Sequence, residues 1–142
     1  MKELTEIENR ICETQAELYE YVANKQFIFP NFSDTYLNSD FCRRAMDSEY
    51  SRFQLQWPGE LLDFIIPENP GIDKKYENNT QFDGAVAYWI GYMYRYLSTA
   101  TGLSSRDVLK RWSFTQMCNM YPGMHTVDYR MAAEMILEGS SY

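Results

Sequence analysis

The side chains best suited to chemistry are few and scattered. The 142-residue chain holds one histidine, His125, and three cysteines, Cys12, Cys42 and Cys118. A thiol becomes a nucleophile when a neighbouring base or cation lowers its proton affinity, and zinc takes about four ligands, usually in closely spaced pairs. The sequence has no Cys-x-x-Cys pair, His-Glu-x-x-His run, Gly-x-Ser-x-Gly elbow or glycine-rich phosphate loop. Cysteines so dispersed predict small buried thiols in a reducing compartment. His125 follows Tyr121-Pro122-Gly123-Met124 and precedes Thr126-Val127-Asp128, which predicts a residue that packs or hydrogen-bonds between a turn and a helix cap. Most carboxylate pairs fall on the first predicted helix, in solvent, away from the pocket that hydrolysis by paired acids requires. No catalytic residue, metal ligand or cofactor is expected. A cysteine brought beside His125 by the fold is the one enzymatic alternative.

With catalysis set aside, charge and composition narrow the remaining classes. The chain carries 20 acidic and 13 basic residues, a formal net charge of −7, and 45% of its residues are apolar and 16% aromatic. That is too apolar for a disordered chain, and the length suits one domain with a sizeable core. No apolar run approaches the roughly 20 residues of a membrane span, and the acidic start lacks the layout of a signal peptide. A cytoplasmic protein that does not contact membrane is expected. The acidity is uneven: residues 1–71 hold 13 acids and 6 bases, whereas residues 84–142 hold 4 acids and 5 bases. An acidic half disfavours nucleic acid and attracts a partner protein with a basic surface.

Those side chains must be positioned by helices, because the periodicity reads as all-α. Leu4, Ile11 and Leu18, with Ile7 and Tyr21 alongside, predict a long first helix from Lys2 to about Lys25, its stripe facing inward and its glutamates outward. A second helix is expected from a cap at Asn31 or Ser33 to about Asp47, and Pro58 opens another that Pro67 stops. Residues 48–56 fit neither period. Residues 67–80, PENPGIDKKYENNT, predict a solvated loop between an acidic front (1–66) and an aromatic-rich back (81–142). Asp83 caps a strongly apolar helix closed by Gly102, and Gly91 within it admits a close neighbour. Ser104 with Asp107 and Ser113 with Gln116 predict two further helix starts. Pro122-Gly123 predicts a tight turn, and Asp128 caps a last helix. The expected architecture is a compact single-domain bundle of about six or seven helices.

Two local features bear on function. Leu97 to Arg111, LSTATGLSSRDVLKR, has the layout of a helix-turn-helix, which would direct Arg106, Lys110 and Arg111 at DNA. From Thr101 to Glu138, the run TGLSSRDVLKR, then Tyr121-Pro122-Gly123, then Met124-His125-Thr126 before a final helix, resembles small uncharacterised bacterial domains associated with toxin–antitoxin modules. The resemblance implies an accessory or antitoxin-like protein that acts by binding. The sequence therefore points to a non-catalytic protein-binding module, an antitoxin-like or phage-type inhibitor occluding a basic partner, with a helix-turn-helix DNA-binding regulator as the alternative. Glu13, Glu17 and Glu20 are expected to attract the partner. Tyr92, Arg95 and Tyr96, on the less apolar side of the central helix, are expected to be exposed and to supply contact energy. A homodimer is compatible with this reading.

Overall fold

Thr5 starts the first helix, α1 (Glu6–Asn24), through a reciprocal cap: its hydroxyl accepts from the Glu8 amide at 3.1 Å, and the Glu8 carboxylate accepts from the Thr5 amide at 2.9 Å. The computed structural model describes residues 1–139. Pro30 occupies the first turn of α2 (Phe29–Asn38), where its missing N–H costs nothing. The expected long second helix is two. Ser39 is extended (ψ 153°), which breaks the backbone, and its hydroxyl accepts from the Cys42 amide at 3.0 Å to start α3 (Asp40–Ala45). Residues 48–56 hold a short 3-10 helix, Arg52–Leu55, capped by Ser51.

Pro58 opens α4 (Pro58–Glu68), and Pro67 lies inside its last turn. The 67–80 segment is irregular but pinned: Ile72 is buried, and Lys75 forms an isolated antiparallel bridge with Phe27. Asp83 caps α5 (Gly84–Thr101), accepting from Ala85 and Val86, and Gly102 ends it in the left-handed region at φ 79°. Ser104 caps α6 (Ser105–Arg111), and the Ser113–Gln116 pair caps α7 (Phe114–Met124). Pro122 and Gly123 form no separate turn; they belong to the last turn of α7. Asp128 accepts from the Met131 amide at the start of α8 (Tyr129–Gly139). The described residues thus form an all-α fold of eight α-helices and no strand.

The helices close around α1 and α5, the most extensively packed pair. Tyr19 is fully buried among Phe29, Phe32 and Tyr36, with ring centroids 5.7, 5.7 and 5.9 Å away and edge-on geometry. Its hydroxyl meets Ser33 at 2.8 Å, so the phenol is satisfied inside the apolar cluster. Burying a large side chain of this kind contributes about 1.5–3 kcal/mol, which explains why a chain of moderate length sustains a core. α5 is buried around nearly its whole circumference from Ala87 to Ser98. Ile7 departs from the predicted inward seam and is 65% exposed. It lies at the edge of the stripe, on the flank beside residues 50–55.

Gly91 marks the closest approach of α5 to α1. A Cβ added there would lie 2.7 Å from Tyr19 Cγ and 2.9 Å from the Gln15 carbonyl oxygen. Alanine improves intrinsic helix propensity by about 1 kcal/mol, but the clash involves the backbone of a packed helix and cannot be relieved by a rotamer change. Gly91→Ala is expected to lose about 1–3 kcal/mol net in a urea titration. A variant as stable as the wild type would refute the close contact.

Candidate functional site

Arg95 projects from α5 into the centre of the molecule and is 2% exposed. Its guanidinium collects partners from most of the surrounding elements. Nε and Nη2 donate to Gln15 Oε1 of α1 at 3.2 and 3.0 Å. Nη1 donates to the Asp47 carboxylate at 2.8 Å and to the Met46 carbonyl at 3.3 Å, both just beyond α3. Nη2 also donates to the Ser105 hydroxyl at the start of α6, at 2.8 Å, and to Cys42 Sγ at 3.4 Å.

The partners are themselves cross-linked. The Ser105 hydroxyl and amide donate to the two Asp47 oxygens at 2.6 and 3.1 Å. Tyr36 donates to Gln15 Oε1 at 2.9 Å, while Gln15 Nε2 donates to the Gly91 carbonyl at 2.9 Å. Burial works against the charged guanidinium, but the groups packed on it, with the Asp47 carboxylate as the counter-charge, more than offset it, so Arg95 holds its proton more tightly than an ordinary arginine.

A cavity of about 390 Å³ opens above this pair, lined by Glu8, Ile11, Asp47, Glu49, Ser98 and Leu103 among others. Three of its polar side chains are committed: Asp47 to Arg95 and Ser105, Glu8 to Lys2 at 2.6 Å, and the Ser98 hydroxyl to the Leu103 carbonyl. The arrangement holds helices in register. Burial raises the proton affinity of Cys42 and pushes the Cys12 thiol up to about 12, so both are neutral thiols. His125 is exposed at the end of α7, where its ring stacks on Tyr121 at 4.3 Å and its Nδ1 meets the Tyr121 carbonyl at 2.8 Å. Among the described residues, no three His, Cys, Asp or Glu side chains are grouped to hold a metal ion.

The expected contact residues are not on the surface. Tyr92 is 6%, Arg95 2% and Tyr96 4% exposed. The less apolar side of α5 is covered by α1 and α8: Tyr92 donates to Asn9 and stacks on Tyr129 at 3.6 Å, and Arg95 is sealed by Gln15. Polarity in the α5 sequence marks an internal network, not an interface. Gln15 within the apolar stripe of α1 is the counterpart signal that sequence reasoning missed.

The expected acidic residues do lie outside. Glu17 and Glu20 are exposed, Glu13 is half-exposed and pairs with Arg10 at 3.6 Å. The three form one row beside Tyr88, a half-buried residue of α5. Burial raises the Tyr88 phenol, and Glu13, Glu17 and Glu20 raise it further. In the α5–α6 corner, Arg106 donates to the Asn38 carbonyl at 2.8 Å and pairs with Asp40 at 3.4 Å. Lys110 pairs with Asp107 at 3.9 Å, and the Arg111 guanidinium lies over Trp112 at 4.8 Å. No protein-family model, curated protein or solved structure matches this chain.

Removing one partner of a buried ion pair leaves the other charge uncompensated, which costs about 3–5 kcal/mol. Asp47→Ala should therefore destabilise the fold by about that amount in chemical denaturation, against a change within about 0.5 kcal/mol for the exposed Glu17→Gln. Equal effects of the two would contradict the placement of Arg95. The thiols give a second test. Under native conditions iodoacetamide should modify the half-buried Cys118 first, and Cys12 and Cys42 only as the chain unfolds. Labelling of Cys12 at the rate of Cys118, read by peptide mass spectrometry, would refute the burial.

Proposed function

We propose that the protein is a non-catalytic protein-binding module, antitoxin-like or of the phage-inhibitor type, that occludes a partner with a basic surface. The observation that carries this reading is the row of Glu13, Glu17 and Glu20 along α1 beside Tyr88. Helical spacing keeps these carboxylates on one side of a rigid rod, so their fields add in one direction. An approaching lysine or arginine meets negative charge first and an aromatic face next, and a cation over a tyrosine ring gains about 0.5–2 kcal/mol depending on desolvation. Tyr88 thus takes the contact role in place of the buried Tyr92, Arg95 and Tyr96. Occlusion needs no chemistry from this chain. It needs a surface that does not deform, which the α1–α5 pairing behind the row supplies.

Charge complementarity of this sort acts mainly on the association rate and fades with salt. Glu17→Lys combined with Glu20→Lys should slow association with a captured basic partner about tenfold or more at low ionic strength and flatten the salt dependence. Surface plasmon resonance with the double variant, with circular dichroism as the folding check, measures both. Binding with unchanged rate and salt dependence would remove the row from the interface.

A further inference from the structure

Of the three tryptophans, Trp89 and Trp112 are buried, whereas Trp57, the residue that starts α4, is 55% exposed. Its indole is nevertheless held in place from two directions. A Cβ added at Gly59 would fall within 2.7 Å of Trp57 Cη2, Cζ2 and Cζ3. A point beyond the ring edge cannot approach three neighbouring carbons so closely, so the indole rests with one face on the glycine. Tyr21 of α1 closes a side, its ring perpendicular to the indole and the centroids 6.2 Å apart. Gly59 has no left-handed backbone angle to justify it, and glycine is a poor helix former. Its missing side chain makes room for the ring.

This aromatic corner already attracts a cation, because Lys25 Nζ lies 5.4 Å from the centroid of the Tyr21 ring. Carboxylates border it on both helices. Glu17 stands one turn before Tyr21, about 40° round the axis of α1, and Glu20 immediately precedes Tyr21. Glu60 follows Gly59 in the first turn of α4. All three glutamates are exposed, and among the described residues none of them is in an ion pair. Three unpaired acids outweigh the one lysine.

Charge selects the occupant. A nucleic acid, an anionic lipid surface or a second copy of a chain with net charge −7 is repelled. An apolar surface would strip water from the carboxylates and return no hydrogen bond. A cation gains twice, from the ring faces and from the acids. Of the two basic side chains, arginine suits the corner better: its planar guanidinium stacks on an indole while its edge donates to a carboxylate, whereas the lysine ammonium is a compact, strongly hydrated charge.

We propose that Trp57 and Tyr21, with Glu17, Glu20 and Glu60 around them, form a receptor for an arginine side chain of the basic partner. This rests on the reading of the α1 glutamate row as a docking surface, and it extends that surface onto α4. Trp57 is the anchor, since its position is fixed before the partner arrives and little freedom is lost on contact.

Isothermal titration calorimetry at low ionic strength, with hexa-arginine and hexa-lysine peptides as probes, tests it. The wild type should bind hexa-arginine about fivefold or more tightly than hexa-lysine. Trp57→Ala removes the indole, and Gly59→Ala keeps it but displaces it. The first trims an exposed side chain and the second raises helix propensity, so both should fold, as circular dichroism will verify. Each should abolish the preference for arginine while residual binding by the glutamates persists. Glu17→Lys combined with Glu20→Lys should weaken both peptides. Binding that falls with the glutamate pair, yet keeps its arginine preference in Trp57→Ala and Gly59→Ala, overturns the corner and leaves the acidic row standing. A preference lost in those two variants, with affinity indifferent to the glutamate pair, retains the ring contact and overturns the row. Equal affinity of the wild type for the two peptides, or no binding of either, overturns the corner.

Discussion

A guanidinium buried to 2% exposure constrains everything around it. Taking such a group out of water costs several kcal/mol, and the cost is offset only when a counter-charge is close and the remaining donors are bonded. Arg95 meets that demand by drawing Gln15, Cys42, Met46, Asp47 and Ser105 onto one point, from α1, α3, the turn beyond it and α6. None of those segments can shift along its neighbour without unpairing a buried charge. An apolar replacement of equal volume could pack as well. It would not say which of several registers is correct. The network therefore bears on specificity of packing more than on its depth, while the apolar core, of which the aromatic cluster around Tyr19 is one part, supplies the burial.

The same network fixes where the surface features stand. Asp47 anchors the start of the irregular stretch before the 3-10 helix, so the turn carrying Tyr50 is set from inside the protein. Gln15 holds the α1 backbone against Gly91 and thereby orients both edges of α1. One edge carries glutamates beside Tyr88; the other carries Ile7 and Ile11 against residues 50–55. The formal charge of −7 is thus not a uniform coating. It belongs to residues 1–71, whereas residues 84–142 hold 4 acids and 5 bases.

Helix starts were the most legible part of the fold. Asp83, Ser104, Ser113, Asp128 and Pro58 each mark a boundary because a side-chain acceptor, or a missing N–H, satisfies a purely local backbone demand. Errors arose where two local signals compete. Ser39 could lie within a helix or cap a new one, and only the packing of α3 against α2 and α4 decides. Pro122-Gly123 has the composition of a turn, yet a proline near the end of a helix leaves only one carbonyl without its bond. The site was half legible. The glutamate row is read directly from 3.6-residue spacing, but the burial of Tyr92, Arg95 and Tyr96 depends on partners 80 or more residues away for Gln15 and Asn9, and on α8. Periodicity reports which side of a helix is more polar. It does not report whether that polarity faces water or a buried network.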